Sequence, residues 1–230
     1  MSLATRSTAA ELMDDLTDPA EYARCLADLE QVNTITLARR PTLAFLDQAM
    51  RRRDPGEAIS VFDVAFGHGD MLRTIARWAG RRGRAVRLGG IDLNPGAAVA
   101  ARAASPGMQL DLATGNVLTH VPAPAYDYII SSLFTHHLDN GQIVDFLRWM
   151  ERNARCGWFI NDLHRLAFPY YGFPLLGRVL GWHRVVRFDG QVSIARSFRR
   201  ADWQALLEEA GVPGVVQTRF PSRLCVARLR

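Results

Sequence analysis

Lysine is missing from this 230-residue chain; all 28 basic residues are arginine. That absence excludes a Schiff base with pyridoxal phosphate or a carbonyl substrate. It also excludes a Walker-type phosphate loop and a kinase-type ATP site, both of which need a lysine. Cysteine is scarce. Cys25, Cys156 and Cys225 lie far apart, with no C-x-x-C and no zinc spacing, the usage expected of a reduced, cytoplasmic protein. Long apolar runs are missing too. The N-terminus MSLATRSTAAELMDD has no apolar core segment, so no signal peptide is expected. The longest uncharged apolar stretch, Leu166 to Gly177, is too short to span a bilayer and is broken by Pro169 and Pro174.

What remains is an ordinary globular profile. With 48% hydrophobic and 22% charged residues, the chain can bury one substantial core, and a single α/β domain is expected. The net charge of +5 makes the surface mildly basic. Residues 1–54 read as helices, with Leu26, Leu29 and Val32, then Leu43 and Leu46, at helical spacing. The turn-rich stretch Arg51-Arg52-Arg53-Asp54-Pro55-Gly56 ends this region.

From residue 55 onward strands and helices alternate. Strands are expected over Ala58–Phe66, Val86–Leu93, Met108–Ala113, Tyr126–Phe134 and Gly157–Leu163. Helices are expected from Asp70, after Asn94-Pro95, and over Gly141–Asn153. The alternation predicts a doubly wound, Rossmann-like, mostly parallel sheet with helices on both faces. It stops after Leu163. Residues 164–196, rich in Pro, Gly and aromatics, read as a lid-like insertion. A helix over Arg200–Ala210, ending at Gly211, then leads to two short strands, Val215–Phe220 and Leu224–Leu229, joined closely enough to form an antiparallel hairpin.

The first strand runs into Asp63-Val64-Ala65-Phe66-Gly67-His68-Gly69-Asp70. Glycines at a strand-to-helix junction allow a sharp turn and close approach to a ligand. Asp92 ends the next strand, where a carboxylate can accept both hydroxyls of a ribose. Two cofactor classes fit this layout. Against a dinucleotide stand Leu72 at the third glycine position and the Asp70 carboxylate where a pyrophosphate would lie. An acidic turn suits the cationic, phosphate-free S-adenosylmethionine.

These segments resemble the class I S-adenosylmethionine-dependent methyltransferases over roughly residues 58–230. VFDVAFGHGD resembles the family's first motif, with Ala65 in place of its first glycine, and GGIDLNP the second. TGNV resembles the next, with Asn116 where aspartate is usual. YDYIISSLFTHHL resembles the segment that ends the fourth strand. The resemblance implies that S-adenosylmethionine, with S-adenosylhomocysteine as product, is held by Asp63, Ala65, Phe66, Gly67, Gly69 and Asp70. Asp92 and Leu93 would lie at the ribose, Asn116 and Val117 at the adenine, and Ser131 or Ser132 near the methionine moiety. The His-His-Leu ending and the strand-five Asp-x-His resemble the small-molecule branch, including ubiquinone/menaquinone-type and natural-product enzymes.

Methyl transfer needs alignment and, for a phenol or alcohol, a base of near-neutral pKa. His136, His137, Asp162 and His164 stand at the carboxyl ends of strands four and five, which face one crevice in a doubly wound sheet. The expected arrangement makes His136 the base and Asp162 its orienting carboxylate, as in a His–Asp pair. His164 is the second candidate base. Against this stands a packed, satisfied histidine with no chemical role. No metal is expected, because Asn161 and Asp162, adjacent on a strand, point to opposite faces.

Phe168, Tyr170, Tyr171, Phe173, Leu175, Leu176 and Trp182 in the insertion would give an apolar or aromatic acceptor pocket, or merely a satellite core. Arg165, Arg184, Arg187 and Arg196 could hold an acceptor carboxylate. A small acceptor such as a phenol, quinone precursor or polyketide is favoured, with O-methylation. The alternatives are a nucleic-acid methyltransferase, for which Ser-Ser-Leu-Phe replaces the usual Asn/Asp-Pro-Pro-aromatic motif, and a non-catalytic cofactor-binding protein. The N-terminal helices could cap the pocket or pair two copies as a homodimer.

Overall fold

The computed structural model describes residues 3–54 and 56–230; Pro55 and the side chain of Leu26, both used above, lie outside the described set. Seven strands form one sheet in the order β3-β2-β1-β4-β5-β7-β6. They are β1 (Ile59–Val64), β2 (Val86–Asp92), β3 (Leu110–Thr114), β4 (Tyr126–Ser132), β5 (Ala154–Leu163), β6 (Val215–Arg219) and β7 (Arg223–Leu229). β1 pairs in parallel with β2 and β4, and only β7 is antiparallel to its neighbours β5 and β6. All six β1 residues are buried, as a central strand covered on both faces requires.

Helices α1 (Pro19–Ile35) and α2 (Arg40–Met50) precede the sheet; α3 (Asp70–Gly80), α4 (Pro95–Ala103) and α5 (Asn140–Asn153) alternate with it. Phe45 and Leu46 of α2, Leu72, Ile75 and Trp78 of α3, and Ala101 of α4 pack on one face with Val61 and Phe159. On the other face α5 buries Ile143, Phe146, Leu147 and Met150 against Phe62, Ile129 and Trp158. Trp158 and Phe159, adjacent on β5, serve opposite cores, as strand alternation dictates. Asn94 caps α4 ahead of Pro95, and a capping box of Asp139 and Gln142 starts α5. α8 (Arg200–Ala210) ends at Gly211 with φ 66°.

The insertion is more regular than its composition suggests. It forms two helices, α6 (Ala167–Val179) and α7 (Arg184–Arg196). Pro169 falls in the first turn of α6, where its missing N–H costs nothing, and Pro174 is tolerated inside it. Gly190 of α7 lets the two helices touch, since a Cβ there would lie 2.0 Å from the Phe173 ring. Leu29 and Val32 of α1 pack on Trp182, Val185 and Val186 of the insertion. The N-terminal segment and the insertion therefore build one structure over the carboxyl ends of the strands. Among the described residues no helix is long and apolar enough to cross a membrane.

Candidate active site

Two cavities lie beside each other at the carboxyl ends of β1, β4 and β5, and both are bordered by Asn33 and Leu133. The smaller, about 60 Å³, lies against the Gly-rich turn and is lined by Asp63, Ala65, Phe66 and Asp70, with Ser132 and Arg39. The turn leaves β1 with Ala65 at φ 59°, a left-handed conformation that costs an L-residue about 1–2 kcal/mol. Leu133, at φ 57°, is the second such residue on the cavity wall. Backbone strain of this kind concentrates where a ligand is held. Gly69 at φ 71° caps α3, and its missing Cβ leaves room for Ala101.

Asp92 closes the turn from the side. Its carboxylate accepts from Gly67 N at 2.8 Å and from Asn94 N at 2.9 Å. Leu93 beside it is exposed, and Asn116 is exposed while capping a short 3₁₀ turn through Leu118 N. Val117 is buried. The neighbouring serines diverge. Ser132 borders the small cavity, whereas Ser131 turns inward and donates to Val64 O.

The electrostatics of this cavity are unbalanced. Asp63 is buried, and burial followed by repulsion from Asp70 and Asp92 raises its pKa well above the ordinary carboxylate range. Arg39 Nε donates to Asp70 at 2.9 Å. Carboxylates beside one arginine suit a zwitterionic amino-acid moiety whose ammonium and carboxylate need opposite partners. Asn33 and Arg39 lie in the N-terminal segment, where no motif marked them.

The larger cleft, about 580 Å³, is mostly apolar, with Leu29, Val32, Leu163, Phe168, Phe173 and Leu176 among its walls. Only part of the aromatic set faces it. Tyr170 is buried beneath, while Tyr171 and Leu175 point to solvent. Trp182 packs under α1 and donates to Gln31. His136, His137 and His164 all border this cleft.

His136 is held firmly. Its Nδ1 lies 2.7 Å from Asp162 Oδ1, and its backbone N–H donates to Asp162 Oδ2 at 3.0 Å. Asp162 also accepts from Thr135 Oγ1 and from Leu163 N. Burial alone would push the Asp162 carboxyl up, but the His136 ring and these donors hold it well below the usual range. With Nδ1–H donating to Asp162, the lone pair falls on Nε2, 3.8 Å from Glu11 Oε1. Asn161 points to the opposite face and donates to Ala38 O.

Glu11 is a further site residue that the sequence does not reveal. It arrives from an irregular N-terminal segment tied down by arginines. Arg6 donates to Arg196 O and Leu138 O, and Arg196 donates to Ala9 O, His136 O and His137 O. Glu11 accepts from Ser193 Oγ at 2.7 Å, and burial raises its pKa. Glu11, His136 and His137 have ligand atoms within 4.8 Å of one another, so they are also the described side chains grouped closely enough to chelate an ion. Desolvation, then the neighbouring charges of His136 and Arg196, lower the pKa of His137. Burial, then Arg200, Arg199 and Arg165, lower the pKa of His164.

Of the four arginines proposed to hold an acceptor carboxylate, none borders the cleft. Arg165 is spent on Ser197 O, Leu3 O, Ala4 O and Asp202, and Arg196 on the three carbonyls above. Arg184 is exposed and Arg187 packs beside Gly177. The arginine on the cleft wall is Arg223, at the start of β7.

Residues 61–157 match the family model described as a methyltransferase domain. A comparison with curated protein sequences finds no match. Among solved structures, the chain is similar to the plantazolicin methyltransferase BpumL, crystallised with a triazolic desmethylPZN analogue and SAH. The TM-score is 0.68 at 14% identity, covering 93% of this chain and 92% of that one. The magnesium protoporphyrin IX methyltransferase ChlM from Synechocystis PCC 6803, with bound SAH, gives a TM-score of 0.55 at 15% identity, covering 85% and 82%. The CMeT domain of the citrinin polyketide synthase gives 0.61 at 15% identity, covering 83% of this chain and 52% of that one. At such identities the likeness is one of fold. Residues 61–157 thus match a methyltransferase domain, and the β3-β2-β1-β4-β5-β7-β6 sheet, with β7 antiparallel, gives the chain the Rossmann-like fold of the class I methyltransferases.

Proposed function

We propose that this chain methylates an oxygen of a small, largely apolar or aromatic acceptor, with His136 as general base. The observation that carries this reading is the His136–Asp162 pair, 2.7 Å apart, whose histidine borders an apolar cleft adjoining the acidic turn.

When bound, the cofactor supplies an electrophilic methyl group on a sulfonium. The chain's residues do the rest. Asp63 and Asp70 attract the cationic end of the cofactor, and Arg39 takes its carboxylate. Asp92 accepts from the ribose hydroxyls, Asn116 and Val117 border the adenine, and Ser132 lies near the methionine moiety. The cleft walls exclude water and hold the acceptor in line, an alignment that supplies much of the rate. His136 Nε2 removes the acceptor hydroxyl's proton as the new bond forms, and Asp162 keeps Nδ1 protonated and stabilises the charged ring. Glu11, across from Nε2, adds to that stabilisation. Residues 1–54 act as a cap over the core of residues 55–230, and the segment 164–196 completes it.

Turnover of S-adenosylmethionine with 2-naphthol and related phenols tests this reading. Methyl ether formation that falls at least 100-fold in His136→Ala supports it. Turnover only with RNA or DNA, or unchanged turnover in both His136→Ala and His164→Ala, contradicts it.

A further inference from the structure

Six buried side-chain nitrogens among the described residues lack a hydrogen-bond partner, and two of them, Arg223 Nη1 and His164 Nδ1, belong to residues of the larger cleft. Arg223 is only 3% exposed. Its Nη2 donates to Thr36 Oγ1 at 3.3 Å, and Thr36 also lines the cleft. Burial disfavours the charged guanidinium, and Asp162 is the carboxylate whose charge favours it. That carboxylate is already committed to Thr135, to Leu163 and twice to His136. An arginine in this position has lost its water without gaining a counter-ion, and an unpaired buried charge is costly unless a ligand completes it.

We propose that Arg223 pairs with a carboxylate on the acceptor, so that the substrate class is an apolar or aromatic acid whose methylated oxygen lies elsewhere on the molecule. This rests on the reading of the larger cleft as the acceptor site. His164, on the residue after β5, supplies a second donor, since neutral imidazole can carry its proton on Nδ1. Its backbone N–H donates to Ser222 O, which fixes it beside Arg223 in the chain. The mostly apolar cleft carries one guanidinium, with the buried Glu11 carboxyl as its acidic group, so it matches a single negative charge at the Arg223 end. A phosphate monoester would bring close to two and would need more donors than this wall offers. Charge-assisted, bidentate arginine–carboxylate pairs give both strength and a fixed orientation. Anchoring the acid at Arg223 therefore selects which oxygen reaches His136.

The test is calorimetric titration of the S-adenosylhomocysteine-loaded protein with 2-naphthoate and 2-naphthamide, which share shape and differ in charge. The expected result is that 2-naphthoate binds at least ten-fold tighter, that Arg223→Met abolishes the difference, and that Arg223→Lys retains part of it. S-adenosylhomocysteine affinity within two-fold of wild type certifies each variant as folded. Equal affinity for the two probes, or a preference that survives Arg223→Met, overturns the proposal while leaving the acceptor cleft intact. If neither probe binds the loaded protein, the reading of the cleft fails and this inference with it. Should Arg223→Met not fold, the wild-type preference and a reduction of at least three-fold in Arg223→Lys carry the test; an unchanged preference in Arg223→Lys overturns it.

Discussion

The two cavities are built by different means. The smaller one grows out of the sheet itself. Its walls are the ends of β1 and β4 and the start of α3, closed on one side by Asn33, Ala38 and Arg39 of the N-terminal segment, and its character is acidic and strained, with Asp63, Asp70, Ala65 and Leu133 around it. The larger one is assembled from segments outside the alternating core, namely the N-terminal segment, α1, α6, α7 and the β6–β7 hairpin, and is apolar with a few polar groups. On the proposed function, the smaller cavity takes the cofactor and the larger one the acceptor. Substitutions in the first region should therefore act on cofactor affinity, and those in the second on turnover and acceptor choice.

The largest effect is expected at the seam between the regions. Asp162→Asn removes the group that fixes the His136 tautomer and should lower turnover by about 10³–10⁴-fold, read in steady-state kinetics. It also has a pH signature. The folded Asp162 carboxyl titrates below its unfolded value, so its stabilisation is present above about pH 4 and is lost as pH falls further. The variant should melt below wild type at pH 7, and the gap should narrow in acid.

Next in size, Asp92→Ala removes the acceptor for Gly67 N and, on the proposed function, the acceptor for the ribose hydroxyls, and should weaken S-adenosylhomocysteine binding by about 30–100-fold in calorimetry, equivalent to about 2–2.7 kcal/mol. Asp63→Asn separates fold from function in the same region. Its folded pKa is raised, so the stability it contributes is present at low pH and lost as pH rises through the folded value. The amide should raise the melting temperature of the unliganded protein at pH 7, leave it unchanged in acid, and cost about ten-fold in S-adenosylhomocysteine affinity. Smallest is Ala65→Gly. Relief of the positive φ, offset by glycine's greater freedom when unfolded, should raise the melting temperature by a few degrees at most, on the order of 1 kcal/mol.

The same division explains what was legible in the sequence. Strand-to-helix alternation with Gly67, Gly69 and Asp92 at its turns is a local pattern, so the sheet and the hairpin could be read directly, as could the part of the small cavity made by Asp63, Ala65, Phe66, Asp70 and Ser132, whereas Gly67, Gly69, Asp92, Leu93, Asn116, Val117 and Ser131 do not line it. The His136–Asp162 pair was readable because neighbouring parallel strands bring their carboxyl ends together. Glu11, Arg39 and Arg223 were not. Each reaches its cavity through long-range packing, with Glu11 carried by a segment whose anchors, Arg6 and Arg196, bind backbone carbonyls that leave no sequence signal. Residues 164–196 looked irregular because Pro169 and Pro174 suggest breaks, yet one falls in a first turn and the other is tolerated within α6.

The most direct test sets turnover against cofactor affinity in one variant, His136→Ala. Turnover with a phenolic acceptor at saturating S-adenosylmethionine is expected to fall by about 10²–10⁴-fold, the usual worth of a general base, while S-adenosylhomocysteine affinity stays within two-fold of wild type. Unchanged turnover, or a loss of affinity as large as the loss of turnover, would contradict the division of labour between the two cavities.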